Sequence, residues 1–210
     1  MKSMLDLIIN EIDKGLKYST QNYQTEKRKY PAQDVHSEDL DEIEKYHSAG
    51  LMRVNHSGEV CAQALYRGQA LTAKLKGTRY TMEKAAEEEL DHLAWCNKRL
   101  EELGQGPSKL SPLWYSMSFT LGAIAGAIGD KWSLGFVEET EDQVVKHLEG
   151  HIKNISSKDK KTIAIMDQMK KDEEVHGQMA NKAGAAELPG EVKELMAAVA
   201  KVMTKTSYEI

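Results

Sequence analysis

The chain has 210 residues, with 33 acidic against 28 basic side chains and a formal charge of −5. That length suffices for one domain with a real core, and the two charge signs are interspersed, which leaves no basic stripe or arm for nucleic acid. Aromatic residues are scarce at 6%, no alternating β-branched runs suggest a sandwich or barrel, and the content of Ala, Leu, Lys, Glu and Met makes the expected fold class all-α.

In chain order, Met4, Leu5, Ile8, Ile9, Ile12 and Leu16 recur at three- and four-residue intervals and predict a short amphipathic helix. The same N-terminus lacks the unbroken apolar core and small-residue cleavage site of a signal peptide. Residues 19–37 are polar, basic and broken by Pro31, and read as a linker. Residues 1–37 are thus expected to stand apart from a bundle domain over 38–210. A long helix is predicted from about Glu38 to Leu75, then a turn at Lys76-Gly77-Thr78 and a second helix over Arg79–Leu103. Cys61 and Cys96 fall inside these helices and read as small buried hydrophobes in a reducing cytoplasm, not as a disulfide framework.

Gly104, Gly106, Pro107 and Pro112 force a longer connection. Leu113 to Ile128 then carries no charge for sixteen residues. This is too short for the roughly 20 apolar residues of a membrane span. Gly122 and Gly126 have the spacing that lets helices approach closely. Two readings stay open: a buried apolar crossover helix, or a face that dips into a bilayer or admits a greasy ligand. Further helices are predicted over Lys131–Ile155 and Lys160–Ala183, separated by Ser156-Ser157-Lys158-Asp159. After Gly184 and Pro189 a C-terminal amphipathic helix aligns Val192, Leu195, Met196, Val199, Val202 and Met203, a stripe that reads as core, with a membrane surface as the alternative.

The chemistry-bearing pattern is Glu-x-x-His, which occurs as Glu89-Leu90-Asp91-His92 and again as Glu173-Glu174-Val175-His176. On a helix, residues three apart share a face one turn apart, so each pair can grip one metal ion. The spacing also selects two further carboxylates. In an antiparallel hairpin, residues equidistant from the turn lie at the same height. Glu59 and Glu89 have their midpoint at Lys74, and Glu141 and Glu173 have theirs at Ser157. Glu138 and Glu139 are rivals to Glu141, which stands on the apolar stripe of Val137, Val145 and Leu148. Four inward glutamates without metal would repel one another, whereas two divalent ions would balance their charge. Glutamate pairs and two Glu-x-x-His motifs on four helices form the ligand set of a di-iron or di-manganese bundle. Glu88 and Asp172, each four residues before a histidine, are candidates to orient the imidazoles. His36, His47, His56, His147 and His151 have no partner at ligand spacing and read as ordinary polar residues.

At these residues the chain resembles the demethoxyubiquinone hydroxylase family of ubiquinone biosynthesis, in its longer bacterial form. The matching stretches are Leu51-Met52-Arg53-Val54-Asn55-His56-Ser57-Gly58-Glu59, Glu88-Glu89-Leu90-Asp91-His92, Gly135-Phe136-Val137-Glu138-Glu139-Thr140-Glu141 and Glu173-Glu174-Val175-His176. The match runs from about residue 48 to the C-terminus and is loose over 1–37. The resemblance implies a ferritin-like four-helix bundle in which Glu59, Glu89 and His92 bind one iron. Glu141, Glu173 and His176 would bind the other, with Glu89 and Glu173 bridging. It also implies a monooxygenase that uses O₂ to hydroxylate the ring of 2-polyprenyl-3-methyl-6-methoxy-1,4-benzoquinol. The expected location is peripheral, on the cytoplasmic face of the cell membrane. The expectation leaves room for a homo-oligomer or a ubiquinone-biosynthesis complex. His147 is a candidate among side chains that would set ring specificity. Two other readings use the same features: a ferritin-like ferroxidase or iron-handling protein, distinguishable by a large cage on sizing, and a metal-free helical membrane adaptor, distinguishable by elemental analysis.

Overall fold

A computed structural model describes residues 4–19 and 28–210. Part of the predicted linker, residues 20–27, lies outside the described residues, as do the side chains of Met4, Leu5, Ile8, Ile12 and Leu16. Ile9, the described member of that apolar pattern, is exposed. The described residues contain helices and no strand: α1 (Met4–Ser19), α2 (Glu42–Thr72), α3 (Lys76–Glu102), α4 (Ser111–Ile128), α5 (Asp130–Asn154), α6 (Lys160–Lys182) and α7 (Gly190–Glu209). None of these helices is long and apolar enough to cross a membrane.

Local chemistry sets the helix ends. The helix α2 starts later than its hydrophobic pattern suggests because Asp41 and Glu44 form a capping box. Glu44 N donates to Asp41 over 2.8 Å, and Asp41 N donates to Glu44 over 3.0 Å. The α2–α3 turn is Ala73-Lys74-Leu75, so Gly77 and Thr78, predicted as a turn, lie inside α3. Asp130 makes the earlier turn workable by accepting from Lys74 N and Leu75 N at 3.0 and 2.9 Å, two donors that a tight turn would otherwise leave bare. Asp159 caps α6 through Thr162 N and also pairs with Arg99 at 2.8 Å, pinning the far end of α3 to the start of α6.

The hairpins α2–α3 and α5–α6 form a four-helix bundle. Two apolar layers fill it. One holds Met52, Trp95, Leu148, Ile165 and Met169; the other holds Ala62, Tyr66, Met82, Val137 and Ala180. On every one of the four helices, the polar residues of the Glu/His pattern fall between these layers.

The helix α4 lies along α2 at backbone contact. A Cβ added to Gly122 would stand 2.1 Å from Leu65 O, and one added to Gly68 would stand 2.2 Å from Phe119 O. The buried-helix reading describes one face of this segment, and the opposite face is apolar and exposed. Trp114, Tyr115, Gly122, Ala125 and Gly126 are buried, while Leu113, Met117, Leu121, Ile124 and Ile128 are 42–62% exposed.

Two further expectations are corrected. The α7 stripe is not core: Met203 is buried, but Leu195 and Val202 are 65% and 57% exposed. The cause is that this helix crosses α2 and overhangs a cleft. It is held near its end by Arg53, which donates to Tyr208 O at 2.6 and 3.2 Å. Residues 28–37, read as linker, are seated on the bundle. Tyr30 and Ala32 are buried in the same layer as Trp95 and Leu100.

Candidate metal centre

Glu59 on α2, Glu89 and His92 on α3, Glu141 on α5, and Glu173 and His176 on α6 meet midway along the bundle. All six are buried or nearly so. Their ligand atoms form two groups, each lying mutually within 4.8 Å: Glu59, Glu89, His92 and Glu173, and Glu89, Glu141, Glu173 and His176. The groups share Glu89 and Glu173. His92 Nδ1 is 2.9 Å from both Glu89 and Glu173 and 3.5 Å from Glu59. His176 Nδ1 is 3.0 Å from Glu173 and 3.2 Å from Glu89. Of the rivals to Glu141, Glu138 accepts from Asn181, and Glu139 pairs with Lys193 and Gln143 away from the cluster. Gly177 on α6 faces Glu141: a Cβ there would be in ordinary contact with Glu141 Cβ, at 3.5 Å.

The residues suit a cation. Both oxygens of Glu89, Glu141 Oε1 and His92 Nδ1 are buried without a well-angled hydrogen bond, although Glu89 lies 2.9 Å from His92 Nδ1 and 3.2 Å from His176 Nδ1. Buried polar atoms are normally paired, and acceptors that face one another become satisfied when a positive ion lies between them. Carboxylate oxygens with one imidazole per position fit iron or manganese better than structural zinc.

The outer ring nitrogens have firm partners. His92 Nε2 donates to Asp172 at 2.9 Å, and His176 Nε2 donates to Glu88 at 3.1 Å. Each carboxylate therefore serves the histidine of the other helix, not the one four residues along its own. The reason is geometric: Nδ1 turns inward towards the glutamate three residues back, which sends Nε2 across the helix pair. Such pairing fixes the tautomer, with Nε2 protonated and Nδ1 available to a metal.

Electrostatics describe the metal-free cluster. Burial raises Glu59 well above the ordinary carboxylate range, and burial followed by the charge of Glu173 does the same to Glu141. Burial works against a charged His176, but contacts with Glu173 and Glu89 push it up to about 12. His92 rises too, because Glu173 and Asp172 outweigh its burial. For Glu89, the two histidines outweigh burial and lower it. The raised proton affinities of Glu59, Glu141, His92 and His176 offset the charge of the clustered carboxylates.

Comparison with known proteins fixes the family. The model of the family "Ubiquinone biosynthesis protein COQ7" matches residues 46–207. This chain belongs to the COQ7 family. Proteins called 3-demethoxyubiquinol 3-hydroxylase resemble it over nearly their whole length. The one from Legionella pneumophila (strain Corby) is 54% identical, covering 99% of this chain and 98% of its own. Those from Acinetobacter baylyi and Chromobacterium violaceum are 53% and 51% identical, covering 98% and 99% of this chain and 97% and 100% of their own. Among solved structures, a dodecameric thioferritin from Bacteroides fragilis superposes with a TM-score of 0.54 at 20% identity, over 68% of this chain and 85% of that one. This second likeness establishes a ferritin-like fold.

In this COQ7-family chain an apolar cleft of about 270 Å³ runs between α4 and α7 and ends on Glu59. Trp114, Met117, Leu121, Leu195 and Val199 line its walls, and Asn55 and His147 flank the inner end. Cys61, expected as core, is only partly buried and lines this cleft; Cys96 is buried. Of the histidines not expected as ligands, none joins the two ligand groups. His151 instead shares a 2.8 Å hydrogen bond with Asn55. Arg28, which forks onto Asp172, went unread in the sequence because it lies in an irregular segment where no periodicity marks a contact.

Proposed function

We propose that this chain is a di-iron monooxygenase of ubiquinone biosynthesis. It hydroxylates the ring of 2-polyprenyl-3-methyl-6-methoxy-1,4-benzoquinol with O₂, at the cytoplasmic face of the cell membrane. The observation that carries the reading is the cleft. An uncharged channel leads from an exposed apolar helix face to Glu59, one of the six clustered donors. The relatives' shared name, 3-demethoxyubiquinol 3-hydroxylase, supports the same substrate.

Glu59, Glu89 and His92 would hold one iron and Glu141, Glu173 and His176 the other, with Glu89 and Glu173 bridging. Two ferrous ions bound there would supply the two electrons that, with two protons, let O₂ place one oxygen atom on the ring and release the other as water, and an external reductant would restore both ions to the ferrous state. The protein's own contributions are positional. Apolar layers above and below keep water from the cluster. Asp172 and Glu88 keep both imidazoles in the Nε2–H tautomer. The cleft walls strip water from the ring and aim it at Glu59. Its volume is at the small end for ligand pockets, so the isoprenoid tail must extend beyond it, along Leu113, Met117, Leu121 and Ile124. Burying these side chains in lipid stabilises the docked state by on the order of 1 kcal/mol each.

The decisive experiment supplies iron-loaded protein with reductant, labelled O₂ and a short-tailed demethoxy-quinol. The expected product carries one labelled oxygen on the ring. Recovery of unmodified quinol from protein retaining two irons would overturn the reading.

A further inference from the structure

The two halves of the cluster are held differently. On the His92 side, Asp172 receives the imidazole and is itself gripped by Arg28. Nη1 lies 2.7 Å from Oδ2 and Nη2 lies 3.1 Å from Oδ1, and Gln168 adds a hydrogen bond of 3.0 Å. The Arg28 guanidinium lies 5.0 Å from the centroid of the Trp95 ring, and its backbone N–H reaches Asp91 at 3.4 Å. Two residues on, Tyr30 is only 2% exposed, with the Lys98 ammonium 4.3 Å from its ring centroid. The segment that carries Arg28 is therefore anchored in the core at Tyr30; the Arg28 side chain is 42% exposed, and the carboxylate it grips, Asp172, is 17% exposed against 37% for Glu88.

On the His176 side, Glu88 is 37% exposed, and Lys84, one turn back on the same helix, lies 3.2 Å away. A cleft of about 200 Å³, lined by Tyr80, Thr81, Lys84, Glu88 and Met179, opens onto His176. The His176 side chain is 9% exposed, against 1% for His92.

We propose that Arg28 is a positioning residue that fixes His92 through Asp172, so that the metal position at His92 is the retained one. The position at His176, reached through the cleft between α3 and α6, is the exchangeable one. A bidentate guanidinium–carboxylate fork sets the plane of the carboxylate as well as its charge. Asp172 so fixed leaves His92 one orientation, while Glu88 can swing into solvent and release His176. Partners of this kind change metal affinity by about 10–100-fold when they are removed. The inference rests on the metal-centre reading given under the proposed function.

The test uses the full chain loaded anaerobically with two ferrous ions and challenged with a coloured ferrous chelator. Release is expected in two equal phases, the slow one at least about tenfold slower. Arg28→Ala should speed the slow phase by about 10–100-fold and leave the fast one unchanged, and Asp172→Asn should do the same. Arg28→Lys, which keeps the charge and loses the fork, should fall between. Glu88→Ala should accelerate the fast phase alone. A single phase for both ions, or an unaltered slow phase in Arg28→Ala, would overturn the inference while leaving a dinuclear centre intact. Wild-type protein that retains no iron would overturn both.

Discussion

At the scale of single residues, the cluster can be charged with protons or with metal, but not with both. Glu59, Glu141, His92 and His176 all have raised proton affinity in the metal-free fold. Each therefore stabilises that fold below its ordinary pKa and loses the contribution as pH rises towards its shifted value. For His176 that window runs from 6.5 to about 12. Glu89, lowered instead, loses its contribution only in acid, below 4.5. From about pH 6 to about pH 8 the metal-free protein should thus lose thermal stability, while the gain on loading with ferrous or manganous ion grows, because the protons that binding displaces are released into a solution of lower proton activity. A melting-point gap between loaded and free protein that stays constant over this range would contradict the electrostatic account. The choice of Glu141 over Glu138 is tested separately. Glu141→Ala should cut bound iron from two to about one per chain, and Glu138→Ala should leave it unchanged, by elemental analysis. Glu141 was legible in the sequence because turn symmetry and an apolar stripe both selected it. The crossing of Asp172 to His92 and of Glu88 to His176 was not, since spacing along one helix says nothing about where the outer ring nitrogen points.

At the scale of elements, the α2–α4 contact positions the cleft. Gly68 and Gly122 let the two helices meet at backbone distance, and Thr72 Oγ1 donates across to Ala123 O at 2.9 Å. Gly122→Ala should therefore destabilise the fold by about 1–3 kcal/mol, read from the urea midpoint, because the new methyl meets the fixed carbonyl of Leu65. An unchanged midpoint would mean that α4 can retreat without cost. Gly122 and Gly126 announced such a contact in the sequence, whereas Gly68, isolated in a long helix, did not. The start of α6 was legible at Lys160, whereas the start of α2 was read too early, because the hydrophobic pattern does not register the capping box at Asp41. The start of α3 was misread because its turn is completed by Asp130, a residue 55 positions away. The α7 stripe showed its periodicity but not its neighbour: an apolar face looks the same in sequence whether it meets core or borders a cleft.

At the scale of the whole molecule, a bundle with a buried cluster at its centre carries an apolar edge where α4 and α7 border the cleft. If that edge rests on lipid, the wild-type chain should float with anionic vesicles. Leu121→Glu combined with Ile124→Glu should remain in the soluble fraction with its iron content intact, and equal flotation of both proteins would count against membrane docking. The four-helix plan was legible because two long hairpins repeat one spacing. The seating of residues 28–37 was not, because an irregular strap leaves no period to read. Central to the account is the proposal that six side chains from α2, α3, α5 and α6, which the fold gathers into two groups sharing Glu89 and Glu173, would hold two metal ions. Anomalous diffraction at the iron edge from loaded crystals tests this most directly. The expected map has two peaks about 3.5–4 Å apart, one beside His92 and Glu59 and the other beside His176 and Glu141. A single peak, or iron only at the surface, would contradict it.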